Sequence, residues 1–180
     1  MKKELLQGVW PNEREVLARP HRLKYVRRLV KTKGCVFCEA AKAKKGPESL
    51  KLFQKGRWMV LLNKFPYNNG HLLILPKAHI ADFDKLSSKD LLSMQILIKQ
   101  SLKILKKVYQ PHGFNTGMNL GAVAGAGIPD HLHFHIVPRW GGDTNFFPLI
   151  GETKLVVETN EQSYNSLRPH YKKLEENIAL

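Results

Sequence analysis

The chain has few cysteines, few acidic residues and no long apolar run, and each shortage excludes something. Among its 180 residues the only cysteines are Cys35 and Cys38. A pair that close cannot staple distant parts of a fold, which argues against a secreted scaffold held by disulfides. No apolar stretch approaches the roughly 18–20 residues of a membrane span. The opening "MKKELLQGVWPNERE" also lacks the continuous apolar segment of a secretory signal, so a cytoplasmic location without a membrane partner is the expectation. Acidic residues number 15 against 29 lysines and arginines, a formal charge of +14. The excess is scattered over "YVRRLVKTKG", "AKAKKG", "KILKKVY" and "HYKKL". Scatter of this kind reads as solvated helix faces and loops ahead of a dedicated nucleic-acid surface. Even a diffuse positive field favours anionic ligands such as polyphosphates. A hydrophobic content of 43% at this length suits one domain with a sizeable core.

What is present in unusual concentration is histidine. The stretch "PDHLHFHIVPRW" spends three of eight histidines, His131, His133 and His135, on alternate positions. Leu132, Phe134, Ile136 and Val137 are strand formers, and a strand turns successive side chains to opposite faces. The three imidazoles therefore share one face, roughly 6.5–7 Å apart. On a helix, residues two apart point about 200° from each other and the rings would scatter. Pro138 is expected to close the strand, because proline has no N–H for a neighbouring strand. A single histidine among apolar residues is usually a hydrogen-bonded packing residue; three in register are harder to explain that way. One flat strand rarely offers three nitrogens to a single tetrahedral ion, which leaves acid, base or nucleophile chemistry, where imidazole suits neutral pH.

The organisation around this stretch is that of the α+β class. Residues 1–33 read as a basic N-terminal arm with a short helix around "RLKYVRRLVK", and "GCVFCEAAKAKKGPE" as a turn and a Lys-rich loop. "SLKLFQKG", "WMVLLNKF" and "HLLILPK" read as strands. Ser87 with Asp90 caps a helix whose apolar positions recur from Leu91 to Leu105 and which runs to about Tyr109. "GFNTGMNLG" reads as the next strand, "AVAGAGIPD" as a Gly-rich loop and "HLHFHIVP" as the strand after it. A late strand, "TKLVVET", and a helix over about residues 161–175 follow. The expectation is a single domain over 1–180, with its core in 34–150 and a C-terminal strand and helix in 151–180. An antiparallel sheet would carry the long helix and the C-terminal helix packed on it.

The loop "NLGAVAGAGIPDH" places Gly121, Gly125 and Gly127 just before the histidines. Glycines let backbone N–H groups approach a phosphate without a Cβ in the way. Together, "HLHFHIV", "LLNKFPYNNGHLLILPKAHI", "CVFC", "FNTGMNLG" and "VPRWGGDTNFFPLIG" resemble the histidine triad (HIT) family of nucleotide hydrolases and transferases, with the motifs in the family's order.

That resemblance implies a HIT-like fold and a set of roles. His133 would be the nucleophile that attacks the α-phosphorus of a nucleotide and forms a covalent nucleotidyl-histidine. His135 and Asn119 would contact the phosphate, Gly125, Ala126 and Gly127 would put backbone donors beside it, and Asn63 would lie near the nucleoside. Trp140 follows the triad strand closely enough to line the pocket, or covers the core edge. Many family hydrolases carry glutamine four residues before the first triad histidine, where this chain has Gly127. That departure and the longer tail resemble the dinucleoside polyphosphate phosphorylase branch. They imply phosphorolysis of a substrate such as diadenosine tetraphosphate, with orthophosphate as acceptor and no organic cofactor. Hydrolysis of dinucleoside polyphosphates or nucleoside phosphoramidates, and a slow nucleotide- or RNA-binding regulator, are the alternatives. A homodimer through the long helix and an adjoining strand is a further implication. Related nucleotidyltransferases hold structural zinc with two cysteines, a histidine after a "P-x-x-H" turn and the first triad histidine, here Cys35, Cys38, His79 and His131. A C-x-x-C pair by itself supplies only half of a tetrahedral shell, and two reduced thiols or a redox pair are the other readings. His21 and His71 read as structural, His112 and His170 as surface residues.

Overall fold

A computed structural model describes residues 34–143 and 157–180. Its strands are short, and the second and third are wholly apolar: β1 Lys51–Lys55, β2 Trp58–Leu62, β3 Leu72–Pro76, β4 Gly113–Gly117 and β5 Phe134–Arg139. They pair antiparallel in the order β1-β2-β3-β5-β4. Continuous apolar runs in β2 and β3 mean that both faces of the sheet are covered. Trp58, Val60, Leu62, Leu72, Ile74 and Ile136 enter one core. Met59, Leu61, Leu73 and Leu75 enter a second, smaller core on the other face.

The larger core is closed by two helices. The first, Ser88–Tyr109, begins where expected, with Ser87 and Asp90 bonded reciprocally as a capping box. It buries Met94, Leu97, Ile98 and Leu105, while the Trp58 indole donates to Ser93 Oγ at 2.8 Å and ties it to β2. The C-terminal helix, Asn160–Asn177, starts at a second capping box, Thr159 with Gln162, and buries Tyr164, Leu167 and Tyr171. The architecture is α+β, and no helix among the described residues is long and apolar enough to cross a membrane.

Two sequence expectations need correction. Residues expected to form only a turn and a Lys-rich loop fold as a helix, Val36–Lys42, numbered α1; the long helix is then α2 and the C-terminal one α3. Seven residues are marginal as an isolated helix. Packing stabilises this one: Phe37 is buried in the smaller core with Ala40 and Ala41 against it, and buried Lys51 donates to the Ala41 carbonyl at 2.9 Å near the helix end. The second correction concerns Pro138, which lies inside β5 and does not end it; β5 itself starts at Phe134 and not at His131. Pairing of β3 with β5 stops at Leu72 and Ile136. The Pro138 carbonyl, on the side its missing N–H would face, accepts instead from Asn68 Nδ2 at 3.0 Å. No ladder bond is lost there.

The arm over 1–33 with its helix and His21, most of the "TKLVVET" strand, and the tail over 144–150 lie outside the described residues.

Candidate active site

Alternation along β5 sends Phe134 and Ile136 into the helix-covered core, so His135, paired with Leu73, faces the opposite side. His133 precedes the strand, and its ring centroid lies 4.9 Å from that of His135. Phe37, carried by α1 between the two cysteines, packs its ring 5.1 Å from His133 and 5.3 Å from His131. His133 is only 6% exposed. Its Nδ1 lies 2.8 Å from the His131 carbonyl, which can only accept, so Nδ1 carries the proton and the lone pair sits on Nε2. Burial pushes this imidazole below the ordinary histidine range, although the carbonyl bond acts the other way. At neutral pH the group is an uncharged imidazole with a lone-pair nitrogen.

His71, assigned a structural place from sequence, turns out to be part of this cluster. It is fully buried, its Nε2 lies 2.9 Å from His135 Nδ1, and Tyr67 stacks on it with centroids 4.9 Å apart. The direction of the proton follows from its other nitrogen. His71 Nδ1 accepts the Tyr67 backbone N–H at 3.1 Å, and Asn63 Nδ2 lies 3.3 Å away. The proton of neutral His71 is therefore on Nε2 and is donated to His135 Nδ1, which places the proton of neutral His135 on its Nε2. No sequence signal marked His71, because the adjacency of β3 and β5 that brings it to His135 is a property of strand order.

Loop 118–130 lies beside this strand. Gly121 and Gly125 have φ of +82° and +88°, values that favour glycine. Asn119 Nδ2 donates to the Gly125 carbonyl at 3.3 Å. The Gly125 N–H donates to Ala122 O at 3.0 Å and the Ala126 N–H to Gly121 O at 3.4 Å, so these two amides close the loop's own turns. Trp140 lies in the turn after β5, where its backbone N–H donates to Asp143 Oδ2 at 3.2 Å. Among the described residues, the aromatic rings against the site histidines are those of Phe37 and Tyr67. His112, exposed at the foot of β4, accepts the Gly141 N–H at 2.8 Å.

Next to His133, Cys35, Cys38, His79 and His131 bring one ligand atom each to within 4.8 Å of one another. Cys35 Sγ lies 3.4 Å and Cys38 Sγ 3.7 Å from His131 Nδ1, and Cys38 Sγ lies 3.4 Å from His79 Nδ1. A tetrahedral zinc shell of thiolate and imidazole ligands has edges of about 3.6 Å, given its usual bond lengths. His131 Nε2 lies 2.9 Å from the Pro76 carbonyl. That bond puts the proton on Nε2 and leaves Nδ1 toward the thiols, the tautomer a metal needs. Burial also lowers the His131 pKa, favouring the neutral ligand form. The donor set fits a thiolate- and imidazole-binding divalent ion such as zinc.

Comparison with known proteins agrees with this geometry. The profile of the HIT domain matches residues 44–142, more than half of the chain. An AP-4-A phosphorylase of Mycobacterium tuberculosis is 41% identical over 98 residues, which cover 54% of this chain and 50% of that protein. The chain thus spans about half the length of that relative. An uncharacterized HIT-like protein of Mycoplasma genitalium is 33% identical over 132 residues, 73% of this chain and 92% of the relative. Among solved structures, a zinc-bound histidine triad family protein from Mycobacterium smegmatis shares the fold, with a TM-score of 0.63 at 23% identity over 81% of this chain and 98% of that one. On the match across its sheet, its loop and its triad, the chain belongs to the HIT domain family.

Proposed function

We propose that this protein transfers a nucleotidyl group through a covalent intermediate on His133, and that its reaction is the phosphorolysis of diadenosine tetraphosphate to ATP and ADP. The observation that carries the reading is the buried, neutral His133 with its lone pair on Nε2 beside a donor histidine, His135. In the first step Nε2 attacks the α-phosphorus, a P–N bond forms, and the P–O bond to the departing ATP breaks with its electron pair. In the second, an orthophosphate oxygen attacks the same phosphorus, the P–N bond breaks, and ADP leaves while the imidazole regains its lone pair. Two displacements replace one difficult transfer. His135 Nε2–H stabilises charge on the phosphate oxygens in both. Asn119 and the loop around Gly125, Ala126 and Gly127 frame the phosphates, and Asn63 and Trp140 belong to the nucleotide side of the pocket.

The choice of orthophosphate over water is supported by Gly127, where a glutamine side chain is missing, and by the likeness to AP-4-A phosphorylase. Incubation with diadenosine tetraphosphate, with and without orthophosphate, tests it. ATP and ADP formed only with orthophosphate supports phosphorolysis; turnover without it assigns a hydrolase; no turnover alongside tight RNA binding assigns a regulator.

The hydrogen bond from His71 to His135 gives a second test. His71→Ala removes the donor that fixes the His135 tautomer, and kcat is expected to fall about 10- to 100-fold with KM within about twofold. Steady-state kinetics on the folded variant check this.

Zinc held by Cys35, Cys38, His79 and His131 belongs to the same proposal, with a structural part: bound there, it would join α1 to the segment leading into β5 through thiolate and imidazole bonds. Pairing of two copies through α2 and β4 completes it. Leu92 on α2 is 64% exposed, an apolar group for a partner to cover. Light scattering at micromolar concentration is expected to give twice the chain mass, and a monomer mass would contradict the pairing.

A further inference from the structure

The loop Asn63–Gly70 carries the groups that set the His71 proton, and its supports come largely from chain beyond the family match. Within the loop, the Phe65 N–H donates to Asn63 Oδ1 at 3.0 Å, and the Tyr67 N–H reaches His71 Nδ1. Besides the bond from Asn68 Nδ2 to the Pro138 carbonyl, three supports hold it from outside. Asn68 Nδ2 donates to Asp143 Oδ2 at 2.9 Å, an oxygen that also takes Arg139 Nε at 2.6 Å. Gly70, at φ +69°, lies flat on Tyr109: a Cβ there would meet Tyr109 Cε2 at 2.7 Å. The Tyr109 hydroxyl donates to Glu158 Oε2 at 2.9 Å, which also accepts from Ser163 Oγ at 2.8 Å. At the entry to α3, the Val157 N–H donates to Asn69 Oδ1 at 3.2 Å and Asn160 Nδ2 to the Lys64 carbonyl at 3.0 Å. The HIT match ends at residue 142, so Asp143, Val157, Glu158 and Asn160 all lie outside it.

We propose that the entry to α3 is a brace for the loop Asn63–Gly70, and that Asn160 is a positioning residue for the His71–His135 pair, acting through the Lys64 carbonyl and the loop backbone. The inference rests on the nucleotidyl-transfer reading for its catalytic part only. The His71–His135 pair tolerates little play, because His71 Nδ1 takes a backbone N–H from the same loop, and a hydrogen bond weakens steeply with angle and distance. Holding the loop at Lys64 and Asn69 confines the turn in which Tyr67 lies. A small displacement of a catalytic group can cost an order of magnitude or more in rate.

The substitution Asn160→Asp separates this role from a merely structural one. At the first position of α3 a carboxylate is favourable to the helix, so the fold is retained, but the donor to Lys64 O becomes an acceptor that repels it. Thermal melting should therefore be unchanged or slightly raised. Hydrogen exchange of the Tyr67 amide is expected to quicken about tenfold, and kcat to fall about five- to tenfold with KM within about twofold. Asn160→Gln, which keeps an amide donor, is expected to restore most of both. A Tyr67 amide that exchanges at the parent rate in Asn160→Asp overturns the brace. Faster exchange with unchanged kcat overturns the positioning role. If the parent protein turns over no dinucleoside polyphosphate, the function fails separately, and exchange still decides the brace.

Discussion

Replacing His133 by alanine is expected to lower turnover by at least about 10⁴-fold, roughly 5 kcal/mol of transition-state stabilisation, while the protein stays folded and keeps most of its nucleotide affinity. In the proposed mechanism His133 makes its main contribution as a covalent bond, present in the reaction path and absent from ground-state binding. The loss of a buried ring packed on Phe37 will cost some stability. Denaturant midpoints should be measured beside kinetics, with His133→Asn as a polar variant that cannot act as nucleophile. Nucleotide affinity by calorimetry within a few-fold of the parent, with turnover gone in both variants, is the expected pair of results. Near-normal turnover in either folded variant would contradict the mechanism.

Removing metal is expected to have the second largest effect, on stability first. An unfolded chain has no preformed site, so binding stabilises only the folded state. With free metal at about 1,000 times its dissociation constant the gain is about 4 kcal/mol, worth roughly 8–16 °C in melting temperature for a chain of this size. Chelation should lower the melting temperature by that order, and Cys35→Ser should lower metal content and stability together. Phe37 sits between Cys35 and Cys38 in sequence and against both His131 and His133, so loosening α1 is expected to reach the His133 ring by packing alone. Well under one zinc per chain by elemental analysis, together with a Cys35→Ser variant as stable as the parent, would leave the four side chains as ordinary packing.

Much of this molecule is legible in its sequence, and the exceptions have common causes. Strands β2 and β3 are visible because a sheet covered on both faces leaves unbroken apolar runs. Helix α2 is visible because its cap and its apolar period agree. The alternation of His133 and His135 with apolar residues gave their shared face directly, and the spacing of Cys35 and Cys38 suggested a metal half-site. What escaped depends on tertiary contacts. Helix α1 is too short to declare itself, and it forms because Phe37 is buried and Lys51 donates to the Ala41 carbonyl near its end. Pro138 continues β5 because β3 has already stopped pairing. His71 reaches His135 only because β3 and β5 are neighbours across 64 residues of sequence. A lone histidine after "NNG" carries no mark of that neighbour.

The nucleotidyl group bonded to His133 is the proposed intermediate, and intercepting it is the most direct test of the mechanism. The protein should be mixed with diadenosine tetraphosphate without orthophosphate, quenched at alkaline pH to preserve the acid-labile P–N bond, digested and mapped by mass spectrometry. One adenylyl group is expected on the peptide that contains His133, assigned to that residue, and it should disappear with release of ADP when orthophosphate is added before the quench. An enzyme that turns over with no such adduct, or with the group on another residue while His133 stays unmodified, would contradict it.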